Sequence, residues 1–186
     1  MTEAQSGGVK VLVVEDETEL ADLYADYLRE SYTVDVAYSG EEAIEMVSDE
    51  YDAILLDRRM PVVSGNEVVV EIEDQGIETR VAMVTAVNPD FDIIDLGIDD
   101  YLVKPVTRQE VLDTIERLLK ISEYNERAQE LTAKKLKRNV LEVEKTRAEL
   151  QESSEFEELT AEIVELEAEV EDIAEELDAE NLERYI

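Results

Sequence analysis

The sequence contains neither cysteine nor histidine, and each absence removes a type of chemistry. Without cysteine, the chain can form no disulfide and no thiolate metal site. Without histidine, it has no imidazole to bind a metal, to act as an acid or base, or to carry a phosphoryl group. Chemistry on this chain must therefore use carboxylates, hydroxyls, amines or the backbone.

Long apolar runs are lacking as well. No run approaches the length that spans a membrane, and residues 1–10 contain no apolar core of the kind found in signal peptides. We therefore expect a cytoplasmic protein with no membrane segment. Residues 1–7 are expected to be a disordered N-terminus.

Basic residues are scarce: 17 lysines and arginines stand against 50 aspartates and glutamates, which gives a formal net charge of −33. A chain this acidic repels itself in dilute salt. At about 1 M salt the electrostatic screening length falls to roughly 3 Å, and most of that repulsion disappears. We therefore expect adaptation to the salt-rich cytoplasm of an extreme halophile; an acidic mesophilic protein is the alternative.

Apolar periodicity predicts alternating strands and helices through residue 122. The predicted strands cover 9–14, 33–37, 53–57, 80–84 and 100–103. The predicted helices lie near 18–30, 40–49, 65–75, 89–96 and 107–122. Three helix starts carry cap signals: Ser39 with Glu42, Asn88-Pro89, and Thr107 with Glu110. The alternation is typical of an α/β fold, here a doubly wound, five-stranded parallel sheet with helices on both faces.

Five polar residues stand at or next to the C-terminal ends of predicted strands: Glu15, Asp16, Asp57, Thr85 and Lys104. Because the carboxyl ends of parallel strands share one crevice, we expect these side chains to converge. Asp57 is a candidate nucleophile, since a carboxylate can form an acyl phosphate. Three neighbouring carboxylates repel one another unless a cation is bound, and Mg²⁺ fits such a site. Thr85 and Lys104 can contact the oxygens of a phosphoryl group, whose charge must be neutralised during transfer.

At these positions the sequence resembles the receiver domain of two-component response regulators, over about residues 8–122. The matching segments are VLVVEDE (11–17), LLDRRMP (55–61) with Gly65, MVTA (83–86) and DDYLVKP (99–105). The resemblance implies a flavodoxin-like fold and phosphorylation of Asp57 by a partner histidine kinase. It implies that Mg²⁺ is held by Glu15, Asp16, Asp57 and the backbone carbonyl of Arg59.

The same resemblance assigns roles around the phosphoryl group. It implies phosphoryl contacts from Thr85 and Lys104, and a cis Lys104–Pro105 bond. It also implies a switch in which Thr85 acts with Tyr101, an aromatic that rotates with the phosphorylation state. From the residues alone, Tyr101 could instead be an aromatic packed in an edge strand.

One departure from the family lies between Thr85 and Lys104, which are only 19 residues apart. The segment is shorter than the resemblance implies, and the shortening falls in the predicted helix 89–96. In many receivers this helix contributes to the surface for dimerisation and output. A homodimer through the receiver is therefore left open, beside one through the tail.

Residues 106–186 contain no proline and no glycine and almost no strand signal. The last receiver helix is expected to continue along a stripe from Tyr124 to Lys135. A second helix is expected to begin near Ser154, with Ser154 and Glu157 as a capping box and a break at residues 153–154. Its apolar residues alternate at spacings of three and four, as in a coiled-coil seam: Phe156, Leu159, Ile163, Leu166, Val170, Ile173 and Leu177.

Charge favours an antiparallel helical hairpin for this tail. Residues 127–147 carry seven basic and three acidic side chains, whereas residues 149–183 carry 16 acidic side chains and no basic one. Two copies of the acidic helix in parallel would set Glu162 against Glu167 of the partner. The hairpin could form within one chain or be exchanged between two. A parallel homodimer in high salt and a single helix packed on the receiver are the alternatives.

The tail resembles the HalX-type domain attached to receivers in halophilic archaea, through SEYNERAQEL (122–131) and SSEFEELTAEI (153–163). The resemblance implies an output domain over residues 123–186, with an output partner that the sequence does not identify. The leading hypothesis is a response regulator that signals through protein–protein contacts made by this domain.

Two other functions are less favoured. A DNA-binding transcriptional regulator could use the basic segment 127–147, but no helix-turn-helix or winged-helix pattern follows residue 122, and phosphate contacts weaken in high salt. An aspartate-nucleophile phosphatase usually places a second aspartate where this chain has Arg59. We therefore expect no enzyme activity beyond slow self-dephosphorylation.

Overall fold

The structure, a computed structural model, describes residues 8–89 and 91–184, with the side chains of all of these except 92 and 181–184. The predicted disordered segment 1–7 lies outside the described residues. The chain divides into two compact units, Met1–Leu119 and Lys120–Ile186. None of the helices in the described part of the chain is both long enough and apolar enough to cross a membrane.

The first unit contains five parallel strands. They are β1 (Lys10–Val14), β2 (Thr33–Ala37), β3 (Ala53–Leu56), β4 (Arg80–Thr85) and β5 (Asp100–Val103). Their order in the sheet is β2-β1-β3-β4-β5, and every neighbouring pair is parallel. The helices are α1 (Thr18–Arg29), α2 (Gly40–Met46), α3 (Gly65–Asp74) and α4 (Arg108–Glu144), which continues into the second unit. The predicted doubly wound α/β fold is confirmed.

The central strands are buried on both faces, since side chains along a strand point alternately to opposite sides. On one face, Val11 and Val13 pack in a cluster with residues of α1 and α4, such as Leu28 and Ile115. On the other face, Leu12 and Val14 pack with residues of α2 and α3, including Ala43, Val68 and Ile72. These two apolar layers hold the sheet rigid and position the loops at its C-terminal edge.

The predicted α-helix at 89–96 is wrong. Within the described residues between β4 and β5, the helical structure is a single 3-10 turn, Phe91–Ile93. The segment must cross the sheet from the end of β4 to the start of β5 with few residues. A 3-10 helix rises about 2 Å per residue and an α-helix only about 1.5 Å, so a short connection favours the more extended form.

The second unit is a helical hairpin made of the C-terminal part of α4, a short α5 (Arg147–Glu152) and a long α6 (Ser154–Arg184). All seven residues of the predicted seam are at least partly buried, and Ile163 and Leu166 are the most deeply buried of them. On α4, the predicted stripe from Tyr124 to Lys135 is partly buried too. The seam of α6 is therefore covered by α4 of the same chain.

Ion pairs run along the antiparallel hairpin. Lys120, Arg127 and Lys134 recur every seven residues on α4, and they pair with Glu176, Glu169 and Glu162, which recur every seven residues in the reverse direction. The three N–O distances are 3.3, 3.3 and 2.8 Å. Lys135 adds a further pair with Glu167 at 2.6 Å. The predicted pairing of a basic with an acidic helix is confirmed within one chain.

The helix ends of the hairpin differ in detail from the prediction. Thr146 and Glu149 form a full capping box that begins α5, a helix not predicted from the sequence. At α6 the cap is Ser153 rather than Ser154, because the Ser153 hydroxyl accepts a hydrogen bond from the Phe156 N–H at 3.2 Å. The chain therefore turns in two steps, at residues 145–146 and at 153.

Candidate functional site

Backbone hydrogen bonds bring three of the predicted site residues to one edge of the sheet. The N–H groups of Glu15, Asp57 and Lys104 each donate to a carbonyl at the end of a neighbouring strand, at 3.1, 2.8 and 2.8 Å respectively. These bonds continue the sheet ladder one residue beyond the strands. The side chains are thus fixed over the carboxyl ends of β1, β3 and β5, where open α/β sheets bind ligands.

The acidic residues form a tight group. Carboxylate oxygens of Glu15, Asp16 and Asp57 lie within 4.8 Å of one another, which is close enough for one metal ion to bind all three. Glu15 and Asp57 are buried, with relative exposures of 3% and 5%, while Asp16 is exposed. Mg²⁺ prefers carboxylate oxygens as ligands and keeps several bound waters, so a carboxylate group that is open to solvent on one side suits it.

Lys104 lies between two of these acids. Its Nζ is 2.5 Å from Glu15 Oε2 and 3.1 Å from Asp57 Oδ1. The peptide bond that follows, Lys104–Pro105, is cis, as the resemblance to receivers implies. The ammonium group thus neutralises part of the acidic cluster.

The electrostatics of the site are set by burial and by this pairing. Burial raises the pKa of the Glu15 carboxyl above its ordinary value and the charge of Asp57 adds to this, whereas the hydrogen bond from Lys104 opposes it. For Lys104, burial alone would lower the pKa, but the hydrogen bond to Glu15 and the charges of Asp57 and Glu15 outweigh it, so the pKa is raised. Because three carboxyl groups stand against one ammonium group, the site is suited to a cation.

The loop after β3 presents Asp57 to the crevice. The N–H of Arg59 donates to Asp57 Oδ2 at 3.0 Å, which orients the carboxylate. Gly65, the first residue of α3, lies so close that a Cβ atom there would be 2.3 Å from the Asp57 carbonyl oxygen. The Ser64–Glu67 capping box begins α3 at this point. Only glycine therefore allows this helix to start against the backbone of Asp57.

Thr85 and Tyr101 are linked through the residue Val87. The Thr85 side chain is fully buried, and its Oγ1 accepts a hydrogen bond from the Val87 N–H at 3.4 Å. The half-buried Tyr101 donates its hydroxyl to the Val87 carbonyl at 2.7 Å, and Arg58 Nη1 lies 3.5 Å from that hydroxyl. A movement of Thr85 would therefore reach Tyr101 through a single backbone segment.

The structure brings together the residues that the sequence singled out. The three acids lie within reach of one metal ion, Lys104 pairs with two of them, and Thr85 is the last residue of the neighbouring strand β4. The Arg59 carbonyl as a ligand, and the functional roles of all these residues, stay predictions. The part of Val87 was missed, because it acts through backbone atoms and its side chain gives no signal.

Two family models match the chain. The model of the response regulator receiver domain matches residues 11–116, and the model of the HalX domain matches residues 120–186. These matches agree with the two resemblances read from the sequence.

Known proteins show similarity to the first unit. A Haloferax volcanii protein named as a transcriptional regulator is 51% identical over 110 residues, covering 59% of this chain and 19% of its own length. A signal receiver domain from Vibrio parahaemolyticus is 29% identical with a TM-score of 0.59, covering 64% of this chain and 95% of its own. The response regulator TrrA of Thermotoga maritima, solved with Mg²⁺ and beryllofluoride, is 31% identical with a TM-score of 0.53, covering 60% of this chain and 99% of its own.

The similarity to curated relatives is partial in both directions. The chain spans about half the length of several of them, for example 53%, and a smaller share of the Haloferax protein.

Proposed function

Because the chain belongs to the response regulator receiver family, we propose that Asp57 accepts a phosphoryl group from a partner histidine kinase. The observation that carries this proposal is the convergence of Glu15, Asp16 and Asp57 with Lys104 at the C-terminal edge of the sheet. A response regulator that acts through a second domain combines such a site with an output domain, and the HalX match supplies a candidate for that domain.

The donor set of the site fits Mg²⁺. Glu15, Asp16 and Asp57 would each give one carboxylate oxygen, and the carbonyl of Arg59 would add a fourth ligand. When bound, Mg²⁺ supplies positive charge that lets negatively charged phosphoryl oxygens approach these carboxylates. The geometry supports this assignment, since three carboxylate groups meet there and Lys104 is the ammonium group that pairs with two of them.

The chain's own residues would carry out the transfer. An oxygen of the Asp57 carboxylate attacks phosphorus in line, so that a new O–P bond forms while the P–N bond to the kinase imidazole breaks. The imidazole nitrogen keeps the electron pair of that bond. Lys104, already held against Asp57, would pair with one oxygen of the transferred group, and the Thr85 hydroxyl with another.

The same contacts would operate the switch. When the Thr85 hydroxyl turns toward the phosphoryl group, it leaves the N–H of Val87, which it contacts in this structure at 3.4 Å. The carbonyl of Val87 is the acceptor for the Tyr101 hydroxyl. Rearrangement of this segment would therefore alter the position of Tyr101 and carry the phosphorylation state to the surface.

The protein would act as a phosphoacceptor rather than as an enzyme with an external substrate. The position two residues after Asp57 is Arg59, which supplies no acid–base group for hydrolysis, and the chain has no histidine. Only slow self-dephosphorylation is expected.

The cytoplasmic location and the division into a receiver at 8–122 and an output domain at 123–186 stay predictions from the sequence.

Output would pass through protein–protein contacts of the helical hairpin, with a partner still to be identified. Direct DNA binding by residues 127–147 is less favoured, because Arg127, Lys134 and Lys135 pair with acidic residues of α6. These cations are therefore engaged within the chain rather than available for phosphates.

Chemical labelling tests the phosphoacceptor. The full chain is incubated with acetyl phosphate and Mg²⁺ in molar KCl, and the intact mass is measured. We expect one phosphoryl group on the native chain, none on Asp57→Asn, and full labelling of Asp74→Asn, an exposed aspartate near the end of α3. Labelling that persists in Asp57→Asn would sink the assignment, and labelling unaffected by EDTA would sink the magnesium requirement.

A further inference from the structure

A second apolar stripe lies on α4, separate from the stripe between Tyr124 and Lys135 that covers the seam of α6. Ala133, Leu136, Val140 and Val143 follow one another at spacings of three, four and three residues. Leu136, Val140 and Val143 are 64%, 54% and 83% exposed, and Ala133 is exposed as well. Three large apolar side chains on one exposed helix face form a surface suited to another helix.

The shape of the surface beside this stripe also suits a helix. Leu136 and Val140 line an open groove of about 680 Å³ together with Leu141, Phe156 and Leu159. The lining is mostly apolar, and its polar members are Lys137, Ser153 and Glu155. A groove of this kind between two helices is the usual receptor for the apolar face of a third.

Charge decides which helix fits. If Ala133 and Val140 take the a positions of a heptad, Leu136 and Val143 take the d positions. The flanking g positions are then Thr132 and Asn139, and the flanking e positions are Lys137 and Glu144. In a chain with a net charge of −33, this is a stripe whose flanks are nearly neutral.

We propose that a second copy of the chain covers this stripe, with α4 packed against α4 in parallel. In that arrangement each g position faces an e position of the partner helix. The hydroxyl of Thr132 and the amide of Asn139 then lie opposite charged side chains, and no two like charges face each other. An antiparallel arrangement that matches the four apolar layers would set Lys137 against Lys137. Among parallel arrangements, Val140 at a with Leu136 at d favours two strands over three or four.

The proposed interface is short, so its strength should depend on protein concentration. It uses four positions over three helical turns, and the two receivers need take no part in it. The inference does not rest on phosphorylation of Asp57. It goes beyond the proposed function because it assigns a dimer interface to a defined face of the output helix.

Sedimentation equilibrium of the full chain in molar KCl, with and without beryllofluoride and Mg²⁺, tests the proposal. We expect a concentration-dependent dimer in at least one of the two conditions. Leu136→Glu/Val140→Glu should raise its dissociation constant at least about 100-fold, because it removes buried apolar area from both copies. The matched control is Val164→Glu on α6, at a residue that is 62% exposed but outside the stripe; it should leave the dimer intact. Circular dichroism should show equal helix content in all three proteins.

Single-cysteine cross-linking tests the direction of the two helices. The native chain has no cysteine, so any disulfide must form at the introduced residue. In the parallel register, Val140 lies opposite Val140 of the partner, within the range of a disulfide. We expect rapid disulfide formation in Val140→Cys and little in Val164→Cys. The proposal is overturned if the native chain is monomeric in both conditions, if the dimer survives the double substitution, or if Val164→Cys cross-links as readily as Val140→Cys.

Discussion

Lys104 offsets the charge of two buried carboxylates that would otherwise repel each other. Its Nζ lies 2.5 Å from Glu15 and 3.1 Å from Asp57, and all three side chains are largely buried. Removing one partner of a buried ion pair leaves a charge without compensation. Lys104→Gln should therefore lower the free energy of unfolding by about 3 kcal/mol in EDTA. Because a bound cation replaces the lost charge, Mg²⁺ should restore more stability to the variant than to the native chain, as urea unfolding can measure.

A surface lysine provides the control for this prediction. Lys145 pairs with Glu149 on an exposed part of the hairpin, where its side chain is 50% exposed. Lys145→Gln should change the free energy of unfolding by less than about 0.5 kcal/mol, with or without Mg²⁺. Equal losses in the two variants would show that Lys104 has no special electrostatic role.

The site residues could be predicted from the sequence because each follows an apolar strand. Parallel strands end at the same edge, so a position after a strand is already a position in space for Glu15, Asp57 and Lys104. The contacts among these side chains could not be predicted from the sequence, since Lys104 and Glu15 are 89 residues apart in the chain. The hydrogen bond from Tyr101 to the Val87 carbonyl could not be predicted either. Every residue has a backbone carbonyl, so the sequence does not show which one accepts.

At the scale of elements, the hairpin combines an apolar seam with exposed ion pairs. Lys135 pairs with Glu167 at 2.6 Å, and that hydrogen bond and charge lower the pKa of the Glu167 carboxyl. A carboxyl with a lowered pKa stabilises the fold above its ordinary titration range. This contribution is lost as the pH falls through the lowered pKa.

Reversing the charge of Lys135 should loosen α6. In Lys135→Glu, repulsion from Glu167 replaces attraction, and amide exchange in α6 should become faster by roughly two- to fivefold at low salt, the range of an exposed ion pair. Molar KCl should remove most of the difference because it screens the charges. Hydrogen exchange followed by mass spectrometry measures both.

The swapped pair serves as the control for this experiment. Lys135→Glu/Glu167→Lys restores opposite charges at the same two positions, so its exchange should return close to that of the native chain. Exchange that stays fast in the double variant would mean that the lysine stem, rather than its charge, stabilises the hairpin.

Elements with a long apolar period were predictable, and short connections were not. The seam from Phe156 to Leu177 repeats over three heptads, so its buried face could be assigned from sequence. The break at Thr146 was missed even though Thr146 and Glu149 carry a capping-box pattern, because the helical pattern on both sides continues through it. The α-helix predicted at 89–96 was wrong, because the distance between β4 and β5, rather than local helix propensity, determines the conformation of that segment.

At the scale of the whole molecule, charge is unevenly compensated. The hairpin pairs several of its acids with lysines and arginines of α4, but other acids of α6 lie exposed outside the ion pairs described above, including Glu158, Glu165 and Glu171. With 50 acidic against 17 basic residues, most of the acidic surface has no cation of the chain to balance it. Repulsion among these groups opposes the compact state in dilute salt.

Stability should therefore rise with salt. The melting temperature of the full chain is expected to increase from low to molar KCl, by about 3 °C for each kcal/mol of repulsion that screening removes. Replacing Glu158, Glu165 and Glu171 by glutamine should raise the melting temperature at low salt and flatten its dependence on KCl, since less repulsion remains to be screened. Thermal unfolding followed by circular dichroism compares the two proteins across the same salt series. A melting temperature that is constant or falls with KCl would contradict adaptation to a salt-rich cytoplasm, because apolar packing and local ion pairs would then hold the fold without any help from screening.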